Sequence, residues 1–177
     1  MSSSRAPFFL IGALVAFVLL QQSLFIVRES EQAMVMQFGK PLARYTEPGL
    51  KFKVPLIQNV KYFDQRVLDV DTVPEEVILA DQKRIVVDTF ARYRITDMLM
   101  YYTALATEQQ ANTRLNNLLN STMRSTLGNA TISDILSEKR SVLMSSIKSQ
   151  VNTAVSRMGI EIVDVRIRRA DLPDGTS

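Results

Sequence analysis

Arg5 and Arg28 bracket 22 residues, 6–27, that carry no charge. A helix rises about 1.5 Å per residue, so this run is about 33 Å long, against a bilayer hydrocarbon core of about 30 Å. A chain that starts this way must bury the run in a large core or place it in lipid. Phe8, Leu10, Ile11, Leu14, Val15, Phe17, Leu19, Leu20, Leu24, Phe25, Ile26 and Val27 supply the apolar surface. Gln21-Gln22-Ser23 fall late in the run, where an uncharged amide reaches the headgroups. A core helix seldom runs so far without a charge. A cleaved signal peptide needs a shorter apolar stretch and small residues at the cut, and Gln-Gln-Ser-Leu-Phe-Ile-Val is a poor match. The spacing predicts an uncleaved signal anchor over 6–27 behind a short tail, 1–5. Positive charge stays on the cytoplasmic side, so Arg5 and the terminal amine favour the tail inside. The bulk of the chain is then expected across the membrane, which in a bacterium is the periplasm: a single-pass type II inner-membrane protein.

What the body can do is narrowed by three absences. The sequence has no His, no Cys and no Trp. Zinc sites of the usual thiolate or imidazole kind, Ser-His-Asp triads and thiol nucleophiles are therefore excluded. No cofactor and no metal is expected. The charge is 21 Lys plus Arg against 18 Asp plus Glu, +3 in all and interspersed, which argues against a nucleic-acid surface.

Proline divides the remaining chain. Pro41, Pro48, Pro55 and Pro74 punctuate its first part, and none occurs between Glu75 and Leu172. Each removes a backbone donor, so short strands and turns are expected there. Met34, Met36 and Phe38 share one face of a first strand that ends at Gly39-Lys40-Pro41; Phe52 and Val54 share a face in a second. Val60 to Val73 reads as extended, with Leu68 and Val70 alternating against Asp69 and Asp71. The clearest strand is Arg84 to Ile95. Ile85, Val87, Thr89, Ala91, Tyr93 and Ile95 form one face, and Arg84, Asp88, Arg92 and Arg94 stand on the other.

After Asp97 the period becomes helical. Ala111, Leu115, Leu118, Leu119, Met123 and Leu127 form a stripe stopped by Gly128. A second helix is predicted from about Ser137 to Met158, with Leu143, Ile147, Val151, Val155 and Met158 inward and Gly159 ending it. Thr131 and Asp134 have the spacing of a capping signal. A last strand runs Ile160 to Arg168, with Val163, Val165 and Ile167 on the apolar face. Strands, helices and a returning strand make an α+β domain. There is no internal repeat and no low-complexity tract.

Searches for chemistry return little. Ser145-Ser146-Ile147-Lys148 matches Ser-x-x-Lys, a nucleophile arrangement that works without His. No Ser-Asp-Asn or Lys-Thr-Gly partner accompanies it. The ordinary reading is a polar pair on an amphipathic helix; the alternative is a membrane-anchored Ser-Lys hydrolase. Asp69 with Asp71, and Glu75-Glu76, are the nearest carboxylate groupings, and a wet strand face explains them equally well. Gly39-Lys40 lacks the rest of a phosphate-binding loop. Asn120-Ser121-Thr122 and Asn129-Ala130-Thr131 are glycosylation sequons by pattern only. Arg166, Arg168 and Arg169 have no aromatic residue nearby to stack a base. Phe52, Val54, Pro55, Leu56 and Ile57 form an apolar run close in sequence to the anchor. It either fills a small β core or dips into the lipid interface.

Three ordered segments resemble a known superfamily. Ala33 to Pro41 with Glu47 to Ile57 is similar to the opening of an SPFH (band 7, prohibitin-like) domain. Val86 to Asp97 resembles its central strand, and Gly159 to Arg169 with Leu172-Pro173 its closing strand. The resemblance implies an SPFH domain over 28–172, with a β-rich lobe, two main helices and a closing strand. It also implies a start at 173–177 of a C-terminal helical region. The implied function is a non-enzymatic membrane scaffold that alternates with an HflK-like paralogue and further copies of itself in a ring or cage. That assembly regulates an FtsH-type AAA+ protease and membrane-protein quality control. A stomatin-like organiser of lipid domains is the other reading within the superfamily. Apolar loops at the bilayer are implied as well. Lateral contacts are expected on the charged face of Asp88, Arg92 and Arg94, and on the Asn/Gln-rich helix from Glu108 to Asn120.

Overall fold

The computed structural model describes residues 6–171. The side chains of 6–11, 13, 15, 16 and 169–171 lie outside the described set, as do residues 1–5 and 172–177. The chain divides into two compact units, Met1–Gln65 and Arg66–Ser177.

The first unit opens with helix α1, Ala6–Ser23. Five strands follow: β1 (Leu24–Val27), β2 (Glu31–Gln37), β3 (Lys40–Tyr45), β4 (Gly49–Phe52) and β5 (Gln58–Asp64). The uncharged run is thus two elements. Leu24, Phe25, Ile26 and Val27, expected to end the spanning segment, are instead a strand paired antiparallel with β4. Two facts stop the helix at Ser23. The Ser23 carbonyl accepts from Lys53 N at 2.7 Å, and its hydroxyl donates to Lys53 O at 2.7 Å. Beyond it, alternation pays: Phe25 and Val27 are 7% and 1% exposed, in a core with Ala33, Val35, Ala43, Tyr45 and Val60. A fully buried valine contributes about 1.5–3 kcal/mol, and a helical turn could not aim both side chains inward. The Phe25 and Tyr45 rings meet edge-on, centroids 5.7 Å apart. At 18 residues α1 is about 27 Å long. Among the described residues no helix is long and apolar enough to cross a membrane. The candidate spanning residues Phe8, Leu10, Ile11 and Val15 fall outside the described side chains.

Strands β3, β2 and β5 form an antiparallel sheet in that order. Phe38, expected on the face of Met34 and Met36, is not in the strand. It sits with Gly39 at the β2–β3 hairpin tip, both at positive φ (48° and 79°), and is 81% exposed. A two-residue hairpin turn requires such angles.

The second unit is a sheet with helices on one face. Central strand β8 (Arg84–Ile95) pairs on one side with β9 (Ile160–Asp171). On its other side it pairs with β6 (Leu68–Asp71) at its C-terminal half and β7 (Glu75–Ile78) at its N-terminal half. The expected inner face of β8 is buried throughout, from Ile85 to Ile95. Helix α3 (Glu108–Leu127) brings Ala111, Leu115, Leu119, Met123 and Leu127 into the core. Helix α5 (Lys139–Val155) brings Ile147, Val151 and Val155. Leu118, Leu143 and Met158, expected in the same stripes, are half-buried. The phenol of Tyr93, wholly buried, donates to Asn112 Oδ1 at 3.4 Å; burial pushes its pKa well up. Tyr101 is pushed up to about 12, first by burial and then by Glu108.

β9 departs from simple alternation. Tyr93 pairs with Ile162 but Arg92 with Asp164, so Val163 is an extra residue in a bulge. The inward side chains are Ile160 and Ile162 before it, and Val165 and Ile167 after it. Val163, expected inward, is only half-buried. The outer edge of β9 is met by α5 side chains. Asn152 accepts from Ile162 N at 2.6 Å and donates to Ile162 O at 3.1 Å, and Arg140 donates to Ile167 O at 2.8 Å.

Two short helices complete the unit. α2 (Met98–Leu105) is capped by Asp97, whose carboxylate accepts from Leu99 N at 2.8 Å and Met100 N at 3.0 Å. The expected capping signal is a full capping box on α4 (Ile132–Leu136): Thr131 Oγ1 accepts from Asp134 N, and Asp134 Oδ2 from Thr131 N. Gly128 does end α3, yet in right-handed geometry. A Cβ there would lie 2.8 Å from the Arg124 carbonyl oxygen. After α5 a 3₁₀ turn, Ser156–Met158, hands over to Gly159 at φ +68°. The Gly159 carbonyl accepts from Thr96 N at 2.9 Å and Asp97 N at 3.2 Å. A Cβ there would overlap the Asp97 carbonyl oxygen and lie 2.9 Å from Tyr101 N.

Gly159→Ala therefore combines left-handed strain with backbone overlap and is expected to cost about 2–4 kcal/mol. Gly39→Ala, at positive φ in open space, should cost about 1 kcal/mol. Urea denaturation in detergent compares them, and equal losses would contradict the overlap. The Asp134 carboxyl is held well below the usual carboxylate range by the Lys139 ammonium and then by Thr131. Its contribution is present above the unfolded carboxyl pKa, about 4, and is lost as pH falls through the lower folded value. Protection of the α4 amides, taken relative to intrinsic exchange at each pH, should fall in acid below pH 4, and Asp134→Asn should remove that fall.

Candidate functional site

In the first unit apolar side chains gather at one end. Leu24 pairs with Phe52 and Ile26 with Leu50 across the β1–β4 ribbon. These four share the face opposite Phe25 and Val27 and are 49%, 61%, 64% and 63% exposed. The loop after β4 carries Val54, Pro55, Leu56 and Ile57. Leu56 is 88% exposed and sits at φ +69°. The loop is an ordered turn: Val54 N donates to Gln58 Oε1 at 2.7 Å, and Gln58 N to Val54 O at 3.1 Å. Gln58 in turn pairs with Gln37, which brings the loop beside the Phe38 tip. The Ser23–Lys53 bonds bring the end of α1 to the same loop.

The end of α1, the loop 53–57 and the hairpin tip are thereby gathered by sheet register together with the Ser23–Lys53 and Val54–Gln58 hydrogen bonds. Two large apolar residues, Phe38 and Leu56, hold left-handed backbone angles while exposed to solvent. That costs strain and hydrophobic exposure together, and such features concentrate at sites of binding. Phe52, Val54, Leu56 and Ile57 are exposed rather than core-filling. The sequence reading placed Leu24 and Ile26 in the spanning run and Phe38 on a strand face, and it did not single out Leu50. Phe-Gly before Lys-Pro was the available signal for the tip. Within Leu-Phe-Ile-Val no signal tells the outer pair from the inner.

The outer face of the second unit's sheet carries Asp88, Arg92 and Arg94, the expected lateral contacts. Each has a partner on its own sheet. Arg94 binds Glu161 at 2.7 Å, and Arg92 lies 3.4 Å from Asp69. Arg168 reaches Asp71 at 2.7 Å and Asp88 at 3.8 Å, and its guanidinium lies 5.4 Å from the Phe90 ring centre. Arg84 pairs with Glu76, and Arg166 with Asp164. These groups are about half exposed, and such pairs contribute about 0–1 kcal/mol each. The face is neutralised row by row, and Asp69 and Asp71 are occupied as salt-bridge partners.

Ser145 and Lys148 both line an open groove of about 760 Å³ between α5 and β9, with Arg140, Asp164 and Arg166. Ser145 is exposed. Neither side chain is hydrogen bonded to the other among the described residues, so the geometry shows no activated hydroxyl. Among the described residues no group of three His, Cys, Asp or Glu could hold a metal ion.

Comparison with known proteins accords with this architecture. The chain is 32% identical to Protein HflC of Buchnera aphidicola subsp. Schizaphis graminum, over 90% of this chain and 60% of that protein. It is 31% identical to Protein HflC of Haemophilus influenzae, over 88% of this chain and 56% of that protein. With the Escherichia coli K12 protein named Modulator of FtsH protease HflC it shares 26% identity, over 93% of this chain and 63% of the relative. The chain thus spans about three fifths of the length of these curated relatives. The SPFH domain / Band 7 family matches residues 25–177, from the first residues of β1 onward. On this match and on the mixed α+β architecture, the chain belongs to the SPFH domain / Band 7 family.

Proposed function

We propose that this chain is a membrane-anchored scaffold subunit that acts on an FtsH-type AAA+ protease from the membrane surface. The observation that carries the reading is the convergence of the α1 end, the loop 53–57 and the Phe38 tip in one apolar surface. A helix entering lipid and a rim of exposed Phe, Leu and Ile beside its exit give the body two attachments, so it lies against the bilayer. The α1 run forms the anchor, with residues 1–5 inside and the body in the periplasm of a bacterial inner membrane. Confinement at one surface raises effective concentration, so weak lateral contacts with an HflK-like paralogue and further copies suffice for a ring or cage. Such an assembly controls access to the protease and thereby membrane-protein quality control. The name of the Escherichia coli relative, Modulator of FtsH protease HflC, supports this partner.

The sequence has no Trp, so one introduced indole reports its own surroundings. Leu56→Trp and Phe38→Trp are each expected to show blue-shifted emission in reconstituted vesicles, strongly quenched by brominated lipid. Ile78→Trp, at an exposed site on β7, should emit as in water and stay unquenched. Water-like emission from both Leu56→Trp and Phe38→Trp would end the bilayer reading. Purification from mild detergent should bring an HflK-type paralogue and an FtsH-type protease with the full chain, and a solitary chain would contradict the scaffold role.

A further inference from the structure

A second cavity in the first unit lies beside the apolar end and differs from it chemically. It holds about 690 Å³ between the end of α1, the loop after β4 and strand β5. Its floor is Phe25 and Val60; its polar groups are Gln22, Lys53, Asn59 and Tyr62. No carboxylate lines it. The groove beside α5 in the second unit contains Glu138 and Asp164 and so compensates its own cations. In this cavity the half-buried residue Lys53 has no acidic partner among the described residues, although its backbone is clamped on both sides by Ser23.

We propose that this cavity binds the phosphodiester headgroup of an anionic phospholipid. One singly charged phosphodiester matches one ammonium. The Gln22 and Asn59 amides and the Tyr62 hydroxyl are neutral donors able to take its remaining oxygens. The apolar floor and neighbouring Leu24 suit the glycerol and first methylenes of such a lipid, and an inorganic ion would leave that surface unused. Position decides the source. Lys53 stands between Phe52 and Val54, at the exit of α1, where the headgroup layer lies if the body docks as proposed above. The inference rests on that membrane reading and gives it lipid selectivity.

The test uses the full chain reconstituted in phosphatidylcholine vesicles containing phosphatidylglycerol, then exchanged into mild detergent. Native mass spectrometry counts the retained lipid. Wild type should keep one phosphatidylglycerol in preference to phosphatidylcholine. Lys53→Met, which keeps the clamped backbone and the length of the side chain, should retain it about tenfold less, the loss of one charge-assisted contact of about 1.4 kcal/mol. Asn59→Asp should do the same by placing an anion in the cavity, and Lys51→Met should retain lipid as wild type does. Unchanged retention in both Lys53→Met and Asn59→Asp overturns the proposal. Displacement of the lipid by millimolar inorganic phosphate overturns the lipid assignment in favour of a soluble anion. Brominated-lipid quenching of Leu56→Trp, repeated with Lys53→Met, separates the two claims. Persistent quenching with lost lipid supports the cavity alone as the selective element, and absent quenching in both backgrounds removes the membrane reading beneath it.

Discussion

Ser23 and Lys53 exchange two hydrogen bonds of 2.7 Å, one through the Ser23 carbonyl and one through its hydroxyl. Much of the first unit depends on that exchange. It ends α1, starts β1 in register with β4, and sends Phe25 and Val27 into the core while Leu24 and Ile26 stay out. A helix C-terminus leaves carbonyls without intrahelical partners. Here one of them is answered by the strand that also receives the chain. The uncharged run is thereby converted from one long rod into a rod joined to a ribbon, and the apolar surface resumes on the ribbon after the exposed Gln21 and Gln22.

The second unit works by a different balance. Its inner face is an apolar contact between β8 and two helices, while its outer face is a set of Arg–carboxylate pairs whose members come from the four strands β6 to β9. Pairing across strands is weak per bond, but it leaves little uncompensated charge on that face. Gly159 performs the corresponding task at one corner. Only a residue without a Cβ lets the strand β9 begin against the first turn of α2.

How much of this was legible follows from what alternation can encode. Strand β8 was readable residue by residue because its two faces differ in polarity at every step. The helical stripes were readable in their central members, and the Thr131–Asp134 box by its spacing. β1 was not readable, since four apolar residues in a row have no visible period. Val163 was assigned inward because a bulge is a property of the pairing with Arg92 and leaves no mark on its own strand. Phe38 and Leu56 were misplaced or only half understood for a related reason: their exposure is fixed by turn geometry, and apolar composition argues the opposite. The partners of Asp88, Arg92 and Arg94 lie on β6 and β9, up to about 80 residues away in sequence, so register had to be known before those charges could be matched.

Strand β9 is twelve residues long, and a bare margin of that length is an invitation to endless stacking of chain upon chain. The Asn152 amide presents to Ile162 the same donor and acceptor that another backbone would offer, and Arg140 occupies the carbonyl of Ile167. The helix thus impersonates a neighbouring strand. Fibre-like addition is hindered where Ile162 and Ile167 are already answered, and a partner that approaches there meets side chains and shape before backbone.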